Sequence, residues 1–299
     1  MQIKENQIPK IKGRIVVRQS MKNLTSLKIG GVADFFAVPE DLEDLKLILS
    51  FCKREKIPFF VIGNGSKLLV ADEGFPGVVI KLGGSFRKIE NHKEEIKVGA
   101  GADLSTLIDF TAQKGLSGLE SLSGIPGTVG GAIARNASAF GRSLSQKVLS
   151  AKILDEDDGC LILSNKDMNF GYRSSTFLTH HKDWVIVEVN LSLSPGKKGD
   201  IFSRLRETRK RKILTQPISF PSAGCVFKNP SSYPAGYLVQ QAGCPGLRIG
   251  DAQVSHQHAN FIINKGKATA QDVLGLIEEV KKRVQDRFGI LLEPELEII

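Results

Sequence analysis

Two glycine-bearing stretches in this 299-residue chain have the residue types and spacing to hold an anionic ligand. The first is Gly63-Asn64-Gly65-Ser66-Lys67, directly after the apolar run Phe59-Phe60-Val61-Ile62. A glycine turn at a strand end can present successive backbone N–H groups to an anion. It carries neither the Gly-Lys-Ser/Thr of a P-loop nor a G-x-G-x-x-G fingerprint, and a plain tight turn accounts for it equally well. The second runs from Gly118 to Gly141 and holds six glycines, four of them in the pattern Gly124-Ile125-Pro126-Gly127-x-x-Gly130-Gly131. Proline fixes its own φ, and glycine lets the chain turn without Cβ clashes. Such a loop, leading into a small-residue helix, suits close approach to a flat cofactor or a pyrophosphate. The competing reading is a close helix–sheet contact. Taken together, the two stretches predict a pocket for a phosphate-bearing cofactor.

The elements that must position these loops are legible from periodicity. Pro39 and an acidic first turn open a helix whose Leu42, Leu45, Leu49 and Cys52 share one face. Strands are predicted at 57–62, 78–82 and 95–100, and a second helix over 102–115, ended by Gly115. After the glycine-rich stretch, 147–155 and 160–164 read as a hairpin around the turn 156–159, and 183–193 as a further strand. Ser194–Asp200, with Pro and Gly among polar residues, reads as a linker and a domain boundary. Beyond it come a basic helix at 201–214, a short helix at 234–243, a strand at 259–264 and a long helix from 269 to 288. That last helix has Val273, Ile277, Val280, Val284 and Phe288 on one stripe and Thr269-x-x-Asp272 as a capping box. The chain then runs through Ile290–Ile299, where Pro294 implies an edge position or a break.

Bulk composition removes several classes of function. A 41% hydrophobic content and 24% charged residues describe a globular protein with room for two domains. No apolar run approaches the roughly 20 residues that cross a bilayer, and the first residues lack the apolar core of a signal peptide. A cytoplasmic location without membrane attachment is expected. Cys52, Cys160, Cys225 and Cys244 show no C-x-x-C spacing, and the five histidines form no H-E-x-x-H, so no metal site is expected. The net charge of +9 fits nucleic acid or a small anionic substrate. One Trp and three Tyr give little for bases to stack on, and the densest basic run, Arg206–Lys212, reads as a solvated helix face.

The ordered set of motifs resembles the UDP-N-acetylenolpyruvoylglucosamine reductases over nearly the whole length. It begins with Thr25-Ser26-Leu27-Lys28-Ile29-Gly30-Gly31, the two glycine loops and Tyr172-Arg173-Ser174-Ser175. It continues with Pro221-Ser222-Ala223-Gly224-Cys225-Val226-Phe227-Lys228-Asn229-Pro230, the 235–243 and 258–264 segments, and Leu292-Glu293-Pro294-Glu295. The short connection after Arg173 resembles the family's second type.

The resemblance implies an α+β fold with two parts. Residues 1–195 would be an FAD-binding module of the p-cresol methylhydroxylase type, in two subdomains divided near 82, the first completed by 290–299. Residues 200–289 would bind substrate. The implied reaction uses NADPH and FAD to reduce UDP-N-acetylglucosamine enolpyruvate to UDP-N-acetylmuramate in peptidoglycan precursor synthesis, in a monomer with no nucleic-acid partner. FAD contacts are implied at Val61, Ile62, Gly63, Asn64, Gly65, Ser66, Lys67 and Leu68. Others are implied at Ile125, Pro126, Gly127, Gly130, Gly131, Ala132, Asn136, Ala137 and Ala139. Arg173 maps onto the family's catalytic arginine, Glu295 onto its acid with Glu293 as the competing choice, and Cys225 onto its proton donor, where serine is commoner. Tyr172, Lys228, Asn229 and His258 map onto substrate positions. The rival expectations are a flavin oxidase of the same fold and a nucleotide-binding regulator without enzymatic activity.

Overall fold

A computed structural model describes residues 8–157 and 159–299. Residues 1–7 of the expected first domain, and Asp158 of the turn expected at 156–159, lie outside the described residues. The chain divides into two compact units. Unit 1 takes the described residues up to Val17, Asp34–Gly63 and Pro76–Arg209. Unit 2 takes Arg18–Ala33, Asn64–Phe75 and Lys210–Ile299.

Unit 1 is built on two sheets. One has four strands in the order Arg14–Ser20, Val32–Val38, Phe75–Lys81, Phe59–Ile62, the last two parallel with Phe59 opposite Val78. The other has five strands in the order Cys160–Ser164, Val148–Leu154, Val185–Ser192, Glu95–Gly99, Ile89–His92, antiparallel throughout. Helix α1 (Leu42–Glu55) buries Leu45, Leu49 and Cys52 of the predicted face, with Leu42 half-buried, and Ile48 and Phe51 as well. Asp41 caps its first turn by accepting from the Asp44 N–H at 3.1 Å. Helix α2 (Leu104–Gln113) buries Leu104, Leu107 and Ile108, and Gly115 takes the left-handed φ of +72° that ends it. Helix α3 (Val129–Ala134) follows the second glycine loop, and α4 (Thr176–Thr179) follows Arg173.

The linker expected at 194–200 is replaced by ordered structure. Ser194–Pro195 pairs with Leu116–Ser117, and α5 (Lys198–Thr215) begins within the same stretch. The reason is apolar: Ile201 and Leu205 are buried in the core of unit 1, so the helix is anchored there through Arg209. Residues 194–200 are exposed throughout, so their polar composition carries no trace of the buried Leu193 and Ile201 on either side.

Unit 2 centres on an antiparallel sheet ordered Ser222–Cys225, Phe261–Asn264, Ala252–Val254, Arg248–Ile249. Helices α6 (Ala235–Gln241) and α7 (Ala270–Phe288) share its core, with Leu238, Val239, Val273, Leu276, Ile277, Val280 and Val284 buried. Both halves of the capping box form: Asp272 N–H donates to Thr269 Oγ1 at 3.0 Å, and Thr269 N–H donates to Asp272 Oδ2 at 2.9 Å. Asp72 adds a second cap, its carboxylate accepting from the Ala270 and Gln271 N–H groups at 2.9 and 3.1 Å. The C-terminal strand pairs within residues 1–82, the part that the resemblance has it complete. Glu297–Ile298 runs parallel to Leu68–Leu69, and both belong with unit 2.

Candidate active site

The second glycine loop is held by its own backbone. Leu104 N–H donates to Gly127 O at 3.0 Å, Val129 N–H to Ala102 O at 2.9 Å and Gly130 N–H to Ala100 O at 2.8 Å. Thr128 caps α3, accepting from the Gly131 N–H at 3.3 Å. The amides of 129–131 are therefore engaged by the protein, and what the loop offers a ligand is bare surface rather than a row of N–H donors. A Cβ on Gly130 would meet Ala100 at 3.0 Å, so part of the glycine content does serve close packing. Gly127, at φ +140°, sits where L side chains are strained. A Cβ on Gly63 would come within 2.5 Å of Thr128 Oγ1, so the end of the first glycine stretch lies directly against the second. Ile125, Pro126, Gly127 and Gly131 keep exposed surface, while Ala132, Asn136 and Ala137 are buried behind them and Ala139 is half-buried. The result is a wall of unit 1 stripped of bulky side chains, which fits a flat cofactor.

Entry to that loop is stapled by α5. Arg204 Nη2 donates to Glu120 Oε1 at 2.7 Å, and Glu120 Oε2 accepts from the Gly118 N–H at 2.7 Å. Burial alone would raise the Glu120 pKa, but the Arg204 guanidinium and the hydroxyl of Ser117 outweigh it and hold the carboxyl below its usual range. Arg209 reaches Ser123 Oγ at 2.8 Å and pairs with Asp109. The basic helix is thus partly a clamp, in addition to its solvated face.

Arg173 sits in unit 1 with φ +54°, an uncommon conformation for a side chain other than glycine. Its segment is pinned to the C-terminal end of α3. Asn136 Nδ2 donates to Gly171 O at 2.8 Å, and Ser175 Oγ, wholly buried, donates to Ala134 O at 2.6 Å. Sequence reading placed Asn136 among the cofactor contacts; here its amide orients the arginine segment. Tyr172 is exposed, with the Arg173 guanidinium 5.8 Å from its ring centroid.

In unit 2, the first glycine loop folds against the Thr25–Gly31 motif. Ser26 N–H donates to Gly65 O at 3.1 Å and Ser26 Oγ to Ser222 O at 2.7 Å. Gly65, at φ +60°, has no room for a Cβ, which would lie 2.2 Å from Leu24 O. Residue 67 then enters the strand paired with the C-terminal segment, its carbonyl accepting from the Glu297 N–H at 2.9 Å.

That pairing brings Glu295 to Cys225. Glu295 N–H donates to Val226 O at 2.7 Å and Lys228 N–H to Glu293 O at 2.9 Å, with Pro294 opposite Phe227 between them. The ladder uses the groups flanking the proline, so its missing N–H costs nothing. A register shift between Ser222 and Cys225, with Gly224 at φ +72°, turns the strand at the cysteine. Glu295 is only 5% exposed, whereas the side chain of Glu293 is 68% exposed and paired with Lys228. Burial therefore separates two acids that spacing left equivalent. Lys67 Nζ lies 3.0 Å from Glu295 Oε1 and donates to Cys225 O at 2.6 Å.

Two residues that the sequence did not single out hold this region. Asn260, 3% exposed, accepts from the Phe227 N–H and donates to Phe227 O, both at 2.9 Å. Asn264, equally buried, donates to Leu27 O at 3.0 Å. The only sequence signal was their presence in the 258–264 segment. Asn229 accepts from the Ala235 N–H at 2.9 Å and so closes the turn before α6. His258 packs on Phe261 at 4.7 Å between ring centroids, and its Nδ1 accepts from the Asn260 N–H at 3.3 Å. Burial holds its pKa below the usual histidine value, so near neutrality Nε2 carries the single ring proton.

Comparison with known proteins agrees with this geometry. Residues 216–299 match the family described as UDP-N-acetylenolpyruvoylglucosamine reductase, C-terminal domain, and residues 33–164 match an FAD binding domain. The UDP-N-acetylenolpyruvoylglucosamine reductase of Caldanaerobacter subterraneus is 43% identical over 96% of this chain and 94% of its own. The chain belongs to the UDP-N-acetylenolpyruvoylglucosamine reductase family. The reductase of Bacillus subtilis is 40% identical over 100% of this chain and 97% of its own. The crystal structure of the Thermus caldophilus reductase superposes with a TM-score of 0.81 at 36% identity, covering 97% of this chain and 99% of that one. The expected α+β fold with an FAD-binding module is borne out by these matches. Among the described residues, no helix is long and apolar enough to cross a membrane.

Proposed function

We propose that the protein reduces UDP-N-acetylglucosamine enolpyruvate to UDP-N-acetylmuramate with NADPH, the FAD-dependent step of peptidoglycan precursor synthesis that its family carries out. Near-complete coverage of relatives at about 40% identity supports this reading most directly. FAD, when bound, supplies the carrier that takes hydride from NADPH and delivers it to the enolpyruvyl double bond.

In unit 1, the glycine-rich wall from Ile125 to Ala132, poor in bulky side chains, would hold the flat cofactor. Arg173 presents a permanently charged planar fork, suited to a substrate carboxylate on which negative charge develops. Its pinned segment means that this charge is in place before reaction and needs little reorganisation. In unit 2, the Cys225 thiol donates the proton that quenches the carbon beside that carboxylate, and solvent then restores the thiol. A thiol, with an ordinary pKa near 8.5, is a stronger acid than the serine hydroxyl it replaces. Glu295, buried next to Lys67, is the proposed catalytic carboxyl group and is held beside the segment that carries Cys225. Tyr172, Lys228 and His258 are proposed substrate contacts, with the Nε2–H of His258 as a donor. With NADPH and a UDP-sugar as reactants, the proposed site of action is the cytoplasm.

A visible spectrum of the purified protein tests the cofactor, and NADPH oxidation with and without UDP-N-acetylglucosamine enolpyruvate tests the reaction. Flavin bands and a rate that depends on the UDP-sugar are expected. Reduced flavin that reoxidises rapidly in air, indifferent to the sugar, would move the protein to the oxidase class; a colourless protein would remove the flavin reading altogether.

A further inference from the structure

Lys67 occupies an unexpected place for a residue of a glycine loop. Its position in sequence, at the end of Gly63–Lys67, points toward an anion-binding turn. Its ammonium instead lies between two functional candidates, 3.0 Å from Glu295 Oε1 and 2.6 Å from Cys225 O. The backbone explains how it gets there. The Glu297 N–H bonds to Lys67 O, which sets residue 67 beside the C-terminal segment two residues from Glu295. Gly224 lies along the end of the lysine side chain, where a Cβ would still be 3.7 Å from Nζ. The lysine side chain is 23% exposed and the Glu295 carboxylate 4%, so the pair is largely desolvated. An ion pair of this kind orients its members strongly, and removing one partner takes away the other's counter-charge.

We propose that Lys67 is a positioning residue for the reduction: one ammonium ties the Glu295 carboxylate to the backbone of Cys225 and so sets acid and thiol in a single fixed arrangement. The inference rests on the reductase reading and on the roles given there to Glu295 and Cys225. It assigns Lys67 to the stage in which the enolpyruvyl group is reduced and protonated. Lys67 acts through Glu295, so its effect exists only while Glu295 carries its charge.

The test compares the FAD-loaded protein with Lys67→Met, Lys67→Arg, Glu295→Gln and the double variant Lys67→Met/Glu295→Gln. Flavin reduction by NADPH and reoxidation by UDP-N-acetylglucosamine enolpyruvate are followed separately by stopped flow. Lys67→Met is expected to slow reoxidation about 30-fold more than it slows reduction, with the loss in the limiting rate rather than in half-saturation. Lys67→Arg, which keeps a cation, recovers at least about tenfold of that loss. In the Glu295→Gln background, Lys67→Met costs less than about threefold more, because the partner's charge has gone. Additive losses in the double variant would overturn the inference, as would equal losses in the two stages or a Lys67→Met reoxidation rate within about threefold of wild type. If Lys67→Met does not accumulate as folded protein, Lys67→Gln, which also removes the cation, gives the same coupling with and without Glu295→Gln. A wild-type protein that the enolpyruvyl sugar fails to reoxidise would instead sink the parent reading, and this inference with it; with a working wild type, the variants bear on Lys67 alone.

Discussion

Replacing Asn260 with alanine exposes how the Cys225 strand is held. The wild-type amide satisfies both the N–H and the C=O of Phe227, each at 2.9 Å, at a residue that is itself 2% exposed. Alanine leaves two buried backbone groups without partners, at about 1–3 kcal/mol each. Some relaxation is expected, so the net loss is set at about 3 kcal/mol for local opening of this segment. The assay must follow unit 2. Tryptophan fluorescence does not, since the chain's one tryptophan, Trp184, lies in unit 1. Amide hydrogen exchange of peptides covering 222–230 does, and about 3 kcal/mol corresponds to roughly 100-fold faster exchange. Asn260→Asp adds a sign test. Its carboxylate still accepts from Phe227 N–H but faces Phe227 O, so the folded state raises its pKa above the unfolded value near 3.9. The stability attached to the protonated form is then fully present below about pH 3.9 and lost as pH rises through the raised folded value. The deficit of Asn260→Asp against wild type should therefore shrink on acidification. Exchange in Asn260→Ala within about twofold of wild type, or an aspartate deficit indifferent to pH, would refute the account of how this strand is positioned.

Further outcomes follow from the same geometry. Arg173→Ala and Arg173→Gly should both lose about 100-fold or more in flavin reoxidation by substrate, yet the glycine variant should be the more stable by about 1 kcal/mol, because only glycine accepts φ +54° without strain; paired chemical denaturation curves decide it. Cys225→Ser should keep substantial turnover, and Cys225→Ala should stop reoxidation by substrate while NADPH still bleaches the flavin, as stopped-flow absorbance will show. A thiol reagent should inactivate the enzyme with protection by substrate, provided that Cys160 is first changed to serine; Cys160 is exposed, whereas Cys244 is buried with its pKa pushed up by that burial. For His258, burial lowers the folded pKa below the unfolded value near 6.5. The neutral ring is accommodated without penalty above that pH, and stability falls as pH drops through the folded value. His258→Gln should flatten this slope in urea denaturation between about pH 7 and 5.

Periodic elements were readable from the sequence because burial imposes periodicity. The stripe of α7 and its capping box, the hairpin 147–164 and the face of α1 all formed where apolar spacing placed them. Ser194–Asp200 looks like a linker because all seven residues are exposed, while the anchoring Ile201 and Leu205 come only in the helix turns that follow. The order of motifs identified Cys225 and Glu295, but no spacing rule separates Glu295 from Glu293; that distinction is burial, a property of the folded chain. Lys67 and Asn260 were beyond reach for a related reason. Their partners lie 228 and 33 residues away, at Glu295 and Phe227, and only pairing of distant strands reveals them.

The threading of unit 2 bears on the order of biosynthesis. Leu68–Leu69 finds its strand partner only when Glu297–Ile298 exists, about 230 residues later. A nascent polypeptide made only as far as residue 289 has every part of unit 1 but neither Glu295 nor the partner that orders residues 67–71. Closing so long a loop is slow, and unit 2 completes its sheet only once residues 295–299 have been made. Loss or disturbance of residues 295–299 is therefore damaging out of proportion to its length, since it strikes a remote carboxylate and a remote loop in one stroke.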